Sequence, residues 1–335
     1  MARDTDFQNT DRTEEHPIKD TRSGLPATPP VTAELLHVAH EETPPSRTLW
    51  GDALRRLVRN KLAVISLVWI LIVIIAAVTA DLWVPNHFGD PRTIDSVTAA
   101  ANRLHGPSAG HPMGTDELGR DMFGRVVYGA RTSLVVGFTA VIISTTIGLL
   151  LGAFAGYYGR LLDALIMRTT DVFLAFPYIL FSILILAIVP PEARGIGPVI
   201  LAIGLLGWPT FARLYRGSVL SVKENDYIDA GRALGASDIR LMFRHIAPNA
   251  IAPVIVYATM SVGGAILTEA ALSFLGLGIQ PPAISWGKMI ESGRGFLVTN
   301  PGLVFWPGLA ILSTVLAFTL LGDGVRDALD VKMKD

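Results

Sequence analysis

Six long apolar stretches alternate with polar segments along the chain. The first contains 19 consecutive residues without a charged side chain, from Leu62 to Ala80. A helix rises about 1.5 Å per residue, so this stretch is long enough to cross the apolar core of a bilayer, about 30 Å thick. The pattern predicts an all-α integral membrane protein with six transmembrane helices, at residues 62–84, 132–156, 169–189, 198–214, 249–272 and 303–321.

The polar segments divide the chain further. Residues 1–49 are rich in Asp, Glu, Arg, Thr and Pro, a composition typical of a disordered tail because it buries little apolar surface. Residues 50–84 are an amphipathic segment with the first span, and residues 85–131 are an outer segment. Residues 132–321 are a five-helix core that contains a polar loop at 215–248, and residues 322–335 are a tail.

Positive charge predicts the orientation of the chain in the membrane. Arg55, Arg56, Arg59 and Lys61 precede the first span, and such clusters stay on the cytoplasmic side. Both termini and the loop at 215–248, which holds five Lys or Arg residues, are then cytoplasmic. The outer segment also carries five arginines, which departs from this rule. The pattern as a whole favours a multi-pass membrane protein with both termini in the cytoplasm.

The composition narrows the classes of function. Hydrophobic residues make up 50% of the chain and charged residues 17%, below the roughly 25% of soluble domains. The chain has no Cys, which excludes disulfides and thiol catalysis. It lacks HExxH, GxSxG and the GxxxxGKS/T loop that cradles ATP phosphates, and its seven His show no metal-ligand spacing. We therefore expect no catalytic residue, metal or cofactor in this chain. Without a basic stripe, we expect no nucleic acid partner.

Two acidic residues lie in or beside the spans, Asp171 and Glu269. Charges inside a membrane are costly, so both are candidate functional residues. The favoured interpretation is structural pairing with Arg168 or Arg213, and the alternative is a proton relay. A second membrane feature is the set of three glycines at positions 148, 152 and 156, whose spacing predicts close packing against a neighbouring helix.

The polar stretch DAGRALGASDIRLMFRHIAPN, residues 229–249, separates the fourth and fifth spans. Asn225 or Asp226 is suited to capping a short helix at 227–234. Gly235 is suited to a sharp turn, because glycine tolerates a positive φ. We name residues 226–238 the elbow.

Beyond that turn, Ser237 is suited to capping a second short helix, with Asp238 in its first turn. Pro248 is suited to the first turn of the fifth span. The small residues Ala230, Gly231 and Ala233 favour close docking of another protein. A loop that only faces solvent does not need such small residues.

This stretch resembles the EAA loop of ABC importer permeases, which reads Glu-Ala-Ala, three residues, Gly, nine residues, Ile-x-Leu-Pro. Asp229, Ala230 and Gly231 stand for Glu-Ala-Ala, Gly235 for the glycine, and Pro248 for the proline. His245 and Ala247 depart from the pattern, and His245 has neither a family match nor a physical role. Residues 111–137, 266–290 and 320–330 resemble the C-type subunit of the dipeptide, oligopeptide and nickel branch of that family, so the resemblance extends from about residue 50 to residue 335.

The resemblance implies a type I, MetI-like permease bundle and a set of partners. A B-type permease would complete the translocation path as a heterodimer, and two cytoplasmic ATPases would use ATP. An extracytoplasmic binding protein would deliver a peptide, facing residues 85–131 and 273–302. The ATPase-coupling residues would lie in and after the elbow: Asp229, Ala230, Gly231, Arg232, Gly235, Ala236, Asp238 and Pro248.

Alternatives to peptide import remain open. The same mechanism with nickel chelates or glutathione as cargo is one. A proton-coupled secondary transporter that depends on Asp171 or Glu269 is another, and a membrane scaffold that recruits a partner without transport is a third. The arginines at 232, 240 and 244 would pair either with acids on an ATPase or with anionic lipid.

Overall fold

The computed structural model of the chain describes residues 49–94 and 99–330. Within them every regular element is a helix, apart from one isolated bridge between Thr115 and Asp121. The predicted tail at 1–49 lies outside the described residues except for its last position, so its disorder stays a prediction.

Thirteen helices are numbered here within the described residues. In chain order they are α1 Leu49–Arg59, α2 Lys61–Phe88, α3 Ala99–Asn102, α4 Met122–Tyr158, α5 Arg160–Ala175, α6 Tyr178–Ile188, α7 Ile196–Lys223, α8 Asp226–Ala233, α9 Asp238–Arg240, α10 Ala247–Ala250, α11 Ala252–Phe274, α12 Trp286–Gly293 and α13 Gly302–Leu329. Short 3-10 turns at Pro191–Ala193 and Arg294–Phe296 and a π-helical segment at Leu241–Ile246 join some of them.

Five of these helices, α2, α4, α7, α11 and α13, are long and apolar enough to cross a membrane. The pair α5–α6 supplies the sixth span, although it is bent by 83° between Ala175 and Tyr178. Its contacts advance along α7 in the antiparallel sense, from Asp163 beside Arg216 to Tyr178 beside the Ile203 carbonyl. The predicted six-span helical bundle is confirmed, with its third span broken.

Several spans are longer than the apolar pattern predicts. α4 begins at Met122 rather than at 132, and α13 continues to Leu329 rather than ending at 321. The added turns contain charged residues such as Arg125 and Arg326. Hydropathy marks only the apolar part of a helix, whereas backbone hydrogen bonding continues through polar turns. The outer segment is correspondingly shorter between its flanking helices than predicted.

Of the three prolines at positions 177, 209 and 253, only the first breaks a span. Pro177 separates α5 from α6, and Phe176 before it is extended, since proline disfavours helical backbone in the preceding residue. Pro209 lies inside the continuous helix α7. Pro253 lies in the first turn of α11, where a missing N–H leaves no helical hydrogen bond unmade.

The glycine row of α4 is a packing surface, as predicted. A Cβ at Gly152 would lie 2.6 Å from the Ala212 carbonyl oxygen, and one at Gly156 would lie 2.8 Å from Val219 Cγ1. Real Cβ atoms do not approach neighbours so closely, so only glycine allows α4 and α7 to lie at this separation. These two helices form the centre of the bundle.

The arginines of the outer segment are mostly paired with acids. The Arg92 Nε atom lies 2.9 Å from Asp90 Oδ1, and Arg131 Nη1 lies 2.9 Å from Asp81 Oδ2. Arg120 and Arg125 both contact Asp116, at 2.8 Å and 3.3 Å. These pairs offset the arginine charges locally, but the orientation rule counts Lys and Arg themselves, so this segment still departs from it.

The two ends of the described chain lie on the same side of the bundle. The Arg56 Nη1 atom of α1 donates to the Asp330 carbonyl oxygen at 2.9 Å, directly after α13. A Cβ at Gly324 of α13 would meet Ala63 of α2, so these helices pack closely at that end. An even number of spans has the same consequence, since the chain then returns to the side on which it started.

Candidate functional site

The elbow begins three residues after the end of α7 and contains a helix and a glycine turn. α8 covers Asp226–Ala233, which confirms the predicted helix at 227–234. Gly235 has φ +80°, as predicted for a turn that favours glycine. The Gly235 amide donates to the Arg232 carbonyl at 3.0 Å, and the Ala236 amide donates to the Gly231 carbonyl at 3.1 Å. This pair of bonds is the Schellman motif, which ends a helix at a left-handed residue.

One predicted cap and the predicted position of Pro248 differ from the structure. Ser237 accepts a hydrogen bond from the Arg240 amide at 3.4 Å, as expected. Asn225 occupies the N-cap position of α8, but its side chain donates back to the Val222 carbonyl at 2.8 Å instead of capping. Pro248 lies in the separate helix α10 rather than in the first turn of the fifth span, because the π-helical segment intervenes.

The inner face of α8 packs on the chain itself. Ile228 is fully buried, and a Cβ at Gly231 would lie 3.0 Å from Leu241 Cδ2 in the π-helical segment. The absence of a side chain at Gly231 therefore serves packing of the elbow on the π-helical segment, which the sequence pattern did not distinguish from docking. Ala230 and Gly235 lie on the exposed side.

Apolar side chains that the sequence interpretation passed over project from the elbow. Leu234 is 89% exposed, and Tyr227, Ile239 and the nearby Phe243 are also exposed. We name these four residues the apolar face. Exposed apolar clusters with polar surroundings mark interaction sites, and large apolar side chains often dominate binding energy. The sequence signal was weak, because the same loop also holds four large apolar residues that are buried, Ile228, Leu241, Met242 and Ile246.

The charged residues of the elbow divide into two groups. Arg232 pairs with Asp229 at 3.0 Å, one helical turn earlier. Arg240 and Arg244 form no ion pair with any acidic residue in the described part of the chain. These two arginines are available to an acidic partner or to anionic lipid headgroups. The ring of His245 likewise makes no hydrogen bond among the described residues, and the structure gives it no role.

The elbow is fastened to the end of the second span. The Tyr157 hydroxyl of α4 donates to Asp238 Oδ1 at 2.6 Å. Lys223, the last residue of α7, donates from Nζ to the Tyr157 carbonyl oxygen and lies over its ring, 5.4 Å from the centroid. A displacement of the elbow therefore acts on α7 through the covalent chain and on α4 through Tyr157.

The two acids in or beside the spans have different surroundings. Asp171 Oδ1 lies 2.6 Å from Arg213 Nη2, one of the two pairings expected, and both side chains are half-exposed. Glu269 is fully buried and forms no ion pair with an arginine of the described residues, contrary to expectation. Instead, Ser273 and Ser133 donate to its carboxyl group at 2.7 Å and 3.0 Å.

The Glu269 cluster anchors the segment that follows α11. Ser273 accepts a hydrogen bond from the Ile279 amide at 3.1 Å while its own hydroxyl donates to Glu269. The buried carboxyl thus connects α4, through Ser133, with the outer turn after the fifth span. No group of three His, Asp or Glu residues with metal-binding geometry occurs in residues 49–94 and 99–330.

The chain matches known transport proteins over most of its length. Residues 148–335 match the family model of the binding-protein-dependent transport system inner membrane component. Residues 48–102 match the N-terminal transmembrane domain of oligopeptide transport permease C. Together these two segments cover the amphipathic helix, the elbow and every span except most of α4.

Curated relatives extend the same similarity. The chain is 46% identical over 285 residues to the dipeptide transport system permease protein of Alkalihalophilus pseudofirmus, covering 85% of this chain and 90% of that protein. It is 42% identical over 292 residues to the glutathione transport system permease protein of Pectobacterium atrosepticum, with 86% and 93% covered.

A solved structure shares the fold. The inward-facing MetNI methionine ABC transporter superimposes with a TM-score of 0.52 at 18% identity, covering 62% of this chain and 97% of that chain. The likeness at this identity concerns the fold of the bundle alone. Together with the two family matches and the curated permeases, it leads to one conclusion. The chain belongs to the binding-protein-dependent inner membrane permeases of ABC importers, in the branch of the C-type subunits.

Proposed function

We propose that this chain forms half of the translocation path of an ATP-driven importer of dipeptides or oligopeptides. The 46% identical relative that transports dipeptides supports peptide cargo. The 42% identical relative favours glutathione, itself a short peptide, as the second candidate. Nickel chelates remain a third cargo within the same mechanism.

The observation that carries the coupling proposal is an exposed apolar face on a loop fastened to two spans. Leu234 is 89% exposed in the single chain, and burial of such a side chain in a groove is worth about 1.5–3 kcal/mol. The Tyr157 hydroxyl connects the same loop to α4. The elbow would dock on an ATPase, and the contacts between them would differ between the inward-facing and outward-facing states of the spans. ATP-driven closure of the ATPases would therefore shift the spans from one state to the other.

Eight residues would form the coupling site in this proposal. Asp229, Arg232 and Asp238 orient the elbow through their local bonds, and Gly235 supplies its turn. Ala230 and Ala236 provide close contact surface, Gly231 lets α8 pack on Leu241, and Pro248 continues the chain toward the membrane.

The complete transporter would contain three further kinds of component. A B-type permease completes the path, two ATPase subunits bind and hydrolyse ATP, and a binding protein delivers the peptide outside. The elbow, both termini and the ATPases lie on the cytoplasmic side of a bacterial plasma membrane. The arginine cluster before α2 and the unpaired Arg240 and Arg244 support this orientation.

Two other classes of function fit the molecule less well. A proton-coupled transporter needs an acid that meets water and changes protonation during the cycle. Asp171 is engaged by Arg213, and Glu269 is sealed among hydroxyl groups away from solvent. A scaffold without transport would not need a broken span in its bundle.

Substitution of Gly235 tests the coupling proposal. Gly235→Trp introduces a large side chain at a positive φ, so we expect loss of ATPase binding and of peptide uptake with normal membrane insertion. Gly235→Asn is the matched control, because Asn tolerates this backbone conformation best after glycine. Co-purification of the ATPases and uptake into proteoliposomes measure both effects. Normal transport by the Trp variant would contradict the proposal.

A further inference from the structure

A cavity of about 500 Å³ lies between α4, the broken pair α5–α6, α7 and α11. Ser144, Gly207 and Gly264 line it, and each lies near the middle of its helix. The cavity therefore lies at mid-depth of the bundle. Its volume falls within the range of about 300–1,000 Å³ that is usual for small-molecule sites.

The lining of the cavity is mostly apolar and uncharged, with hydroxyl groups at several positions. No Asp, Glu, Lys, Arg or His is among its lining residues. Four helices contribute hydroxyl groups to the lining, from Ser144, Tyr178, Thr210, Tyr257, Ser261 and Thr268. Each hydroxyl oxygen can accept a hydrogen bond even where its proton is already donated to the backbone.

The hydroxyl protons are unequally available. Ser144 donates to the Gly204 carbonyl at 2.8 Å, and Tyr178 donates to the Ile203 carbonyl at 3.1 Å. Thr210 and Tyr257 donate to no residue in the described part of the chain. The cavity thus offers several acceptors and two free donors, which matches the N–H and C=O groups of a peptide backbone.

The break in the third span forms one wall of this cavity. Leu174 and Tyr178 lie on either side of the break and both line the cavity. Non-helical backbone at membrane depth is tolerated where it lies inside protein or faces a water-filled space. The 83° bend thus places non-helical backbone at the wall of the cavity, a setting in which a membrane protein tolerates it.

We propose that this cavity receives the uncharged parts of the peptide, its backbone amides and apolar side chains, during passage, and that it selects by size rather than by charge. The inference rests on the proposed function and adds the contact site within this chain. A charged group of the peptide has no partner among the lining residues. The backbone amides of the peptide can bond to the hydroxyls, and its apolar side chains can pack against the remaining walls.

Gly264 is the position that tests this proposal. It lies on the face of α11 that lines the cavity, and a Cβ there would meet nothing within 4 Å. A side chain at 264 therefore enters the cavity without displacing its neighbours. Gly308 of α13 is the matched control, because a Cβ there also meets nothing within 4 Å and the residue does not line this cavity.

The absence of cysteine allows the blocking group to be added after assembly. Gly264→Cys and Gly308→Cys each introduce the only thiol of this chain. The assembled complex, with its partner subunits, is treated with methyl or benzyl methanethiosulfonate and compared with the treated wild type. Retained ATPase subunits show that the complex is intact. Uptake of diglycine and diphenylalanine into proteoliposomes is then measured.

We expect the benzyl group at 264 to reduce diphenylalanine uptake by about tenfold and diglycine uptake much less, since small steric differences in a pocket change selectivity by about this factor. The methyl group should have a small effect, and excess diphenylalanine should slow labelling at 264 but not at 308. If the wild type imports neither dipeptide, the proposed peptide function fails. If it imports both and benzyl labelling at 264 has no more effect than at 308, or reduces both dipeptides equally, the inference about the cavity is overturned while the proposed function stands.

Discussion

The Tyr157 hydroxyl donates a hydrogen bond to Asp238 across 2.6 Å, joining the end of the second span to the elbow. Tyr157 is buried and Asp238 is exposed, so the tyrosine is held by the bundle and the aspartate moves with the loop. The contact spans 81 positions in sequence. It provides a direct mechanical connection between the proposed ATPase-docking surface and a helix that lines the cavity.

Removal of this hydroxyl should uncouple the elbow from α4. A bond to a partly exposed carboxylate contributes about 1 kcal/mol, so Tyr157→Phe should lower peptide uptake by about fivefold. ATPase subunits should still co-purify, because the apolar face is unchanged. The number of ATP molecules hydrolysed for each peptide transported should rise.

Tyr158→Phe is the control for this change. Tyr158 is the next residue, is 46% exposed, and its hydroxyl has no partner among the described residues. Equal losses of uptake in both variants would show that removal of any tyrosine hydroxyl at this end of α4, rather than loss of the bond to Asp238, explains the effect.

The exposed leucine of the elbow should anchor the ATPase. Leu234→Asp replaces an 89% exposed apolar side chain with a charge, and we expect loss of ATPase co-purification without loss of folding. Val298→Asp is a matched control in the segment before α13, because Val298 is 96% exposed and distant in sequence. An ATPase complex that survives Leu234→Asp would contradict the assignment of the apolar face.

Glu269 should contribute to stability rather than carry protons. Glu269→Gln keeps the size and the acceptor oxygen, so we expect uptake to remain driven by ATP and to be insensitive to a pH gradient. Glu269→Ala leaves the hydroxyls of Ser133 and Ser273 unpaired in a buried site, which costs about 1–3 kcal/mol. Thermal unfolding in detergent should therefore separate the two variants. Uptake driven by a pH gradient without ATP would support the proton-coupled alternative instead.

The outer segment should become less stable as pH rises through the acidic range. Burial raises the pKa of Asp121, against hydrogen bonds from the Gly124 amide and from His111 that lower it. The folded state therefore holds this proton to a higher pH than the unfolded state, and stability falls as pH rises from about 4 through the raised pKa. Asp121→Asn keeps an N-cap for α4 and should remove this dependence.

Asp90 supplies a control of opposite sign. Hydrogen bonds from Arg92 hold the pKa of Asp90 below its ordinary range. Its contribution is present above that range and is lost as pH falls through the lowered value. The wild type, Asp121→Asn and Asp90→Asn should be compared by thermal unfolding from pH 3 to 7. Identical pH profiles for all three would contradict both assignments.

The bundle was predictable from the sequence because a bilayer imposes a simple requirement. Backbone groups in lipid must bond within the helix, so each apolar stretch became a span or, at Pro177, a broken one. The helix at 227–234 and the turn at Gly235 were also predictable, since a positive φ and a Schellman motif are local properties. The glycine row of α4 was readable for a similar reason, as its four-residue spacing defines one helix face.

The sequence by itself thus determined the spans, the elbow and its turn, which depend on neighbouring residues. Only the tertiary structure decided which residues meet across the chain. It placed Tyr157 on Asp238, enclosed Glu269 among serines rather than beside an arginine, and turned Gly231 toward Leu241 while leaving Leu234 exposed. Such contacts depend on how helices separated by many residues pack, and hydrophobic periodicity carries no information on that separation.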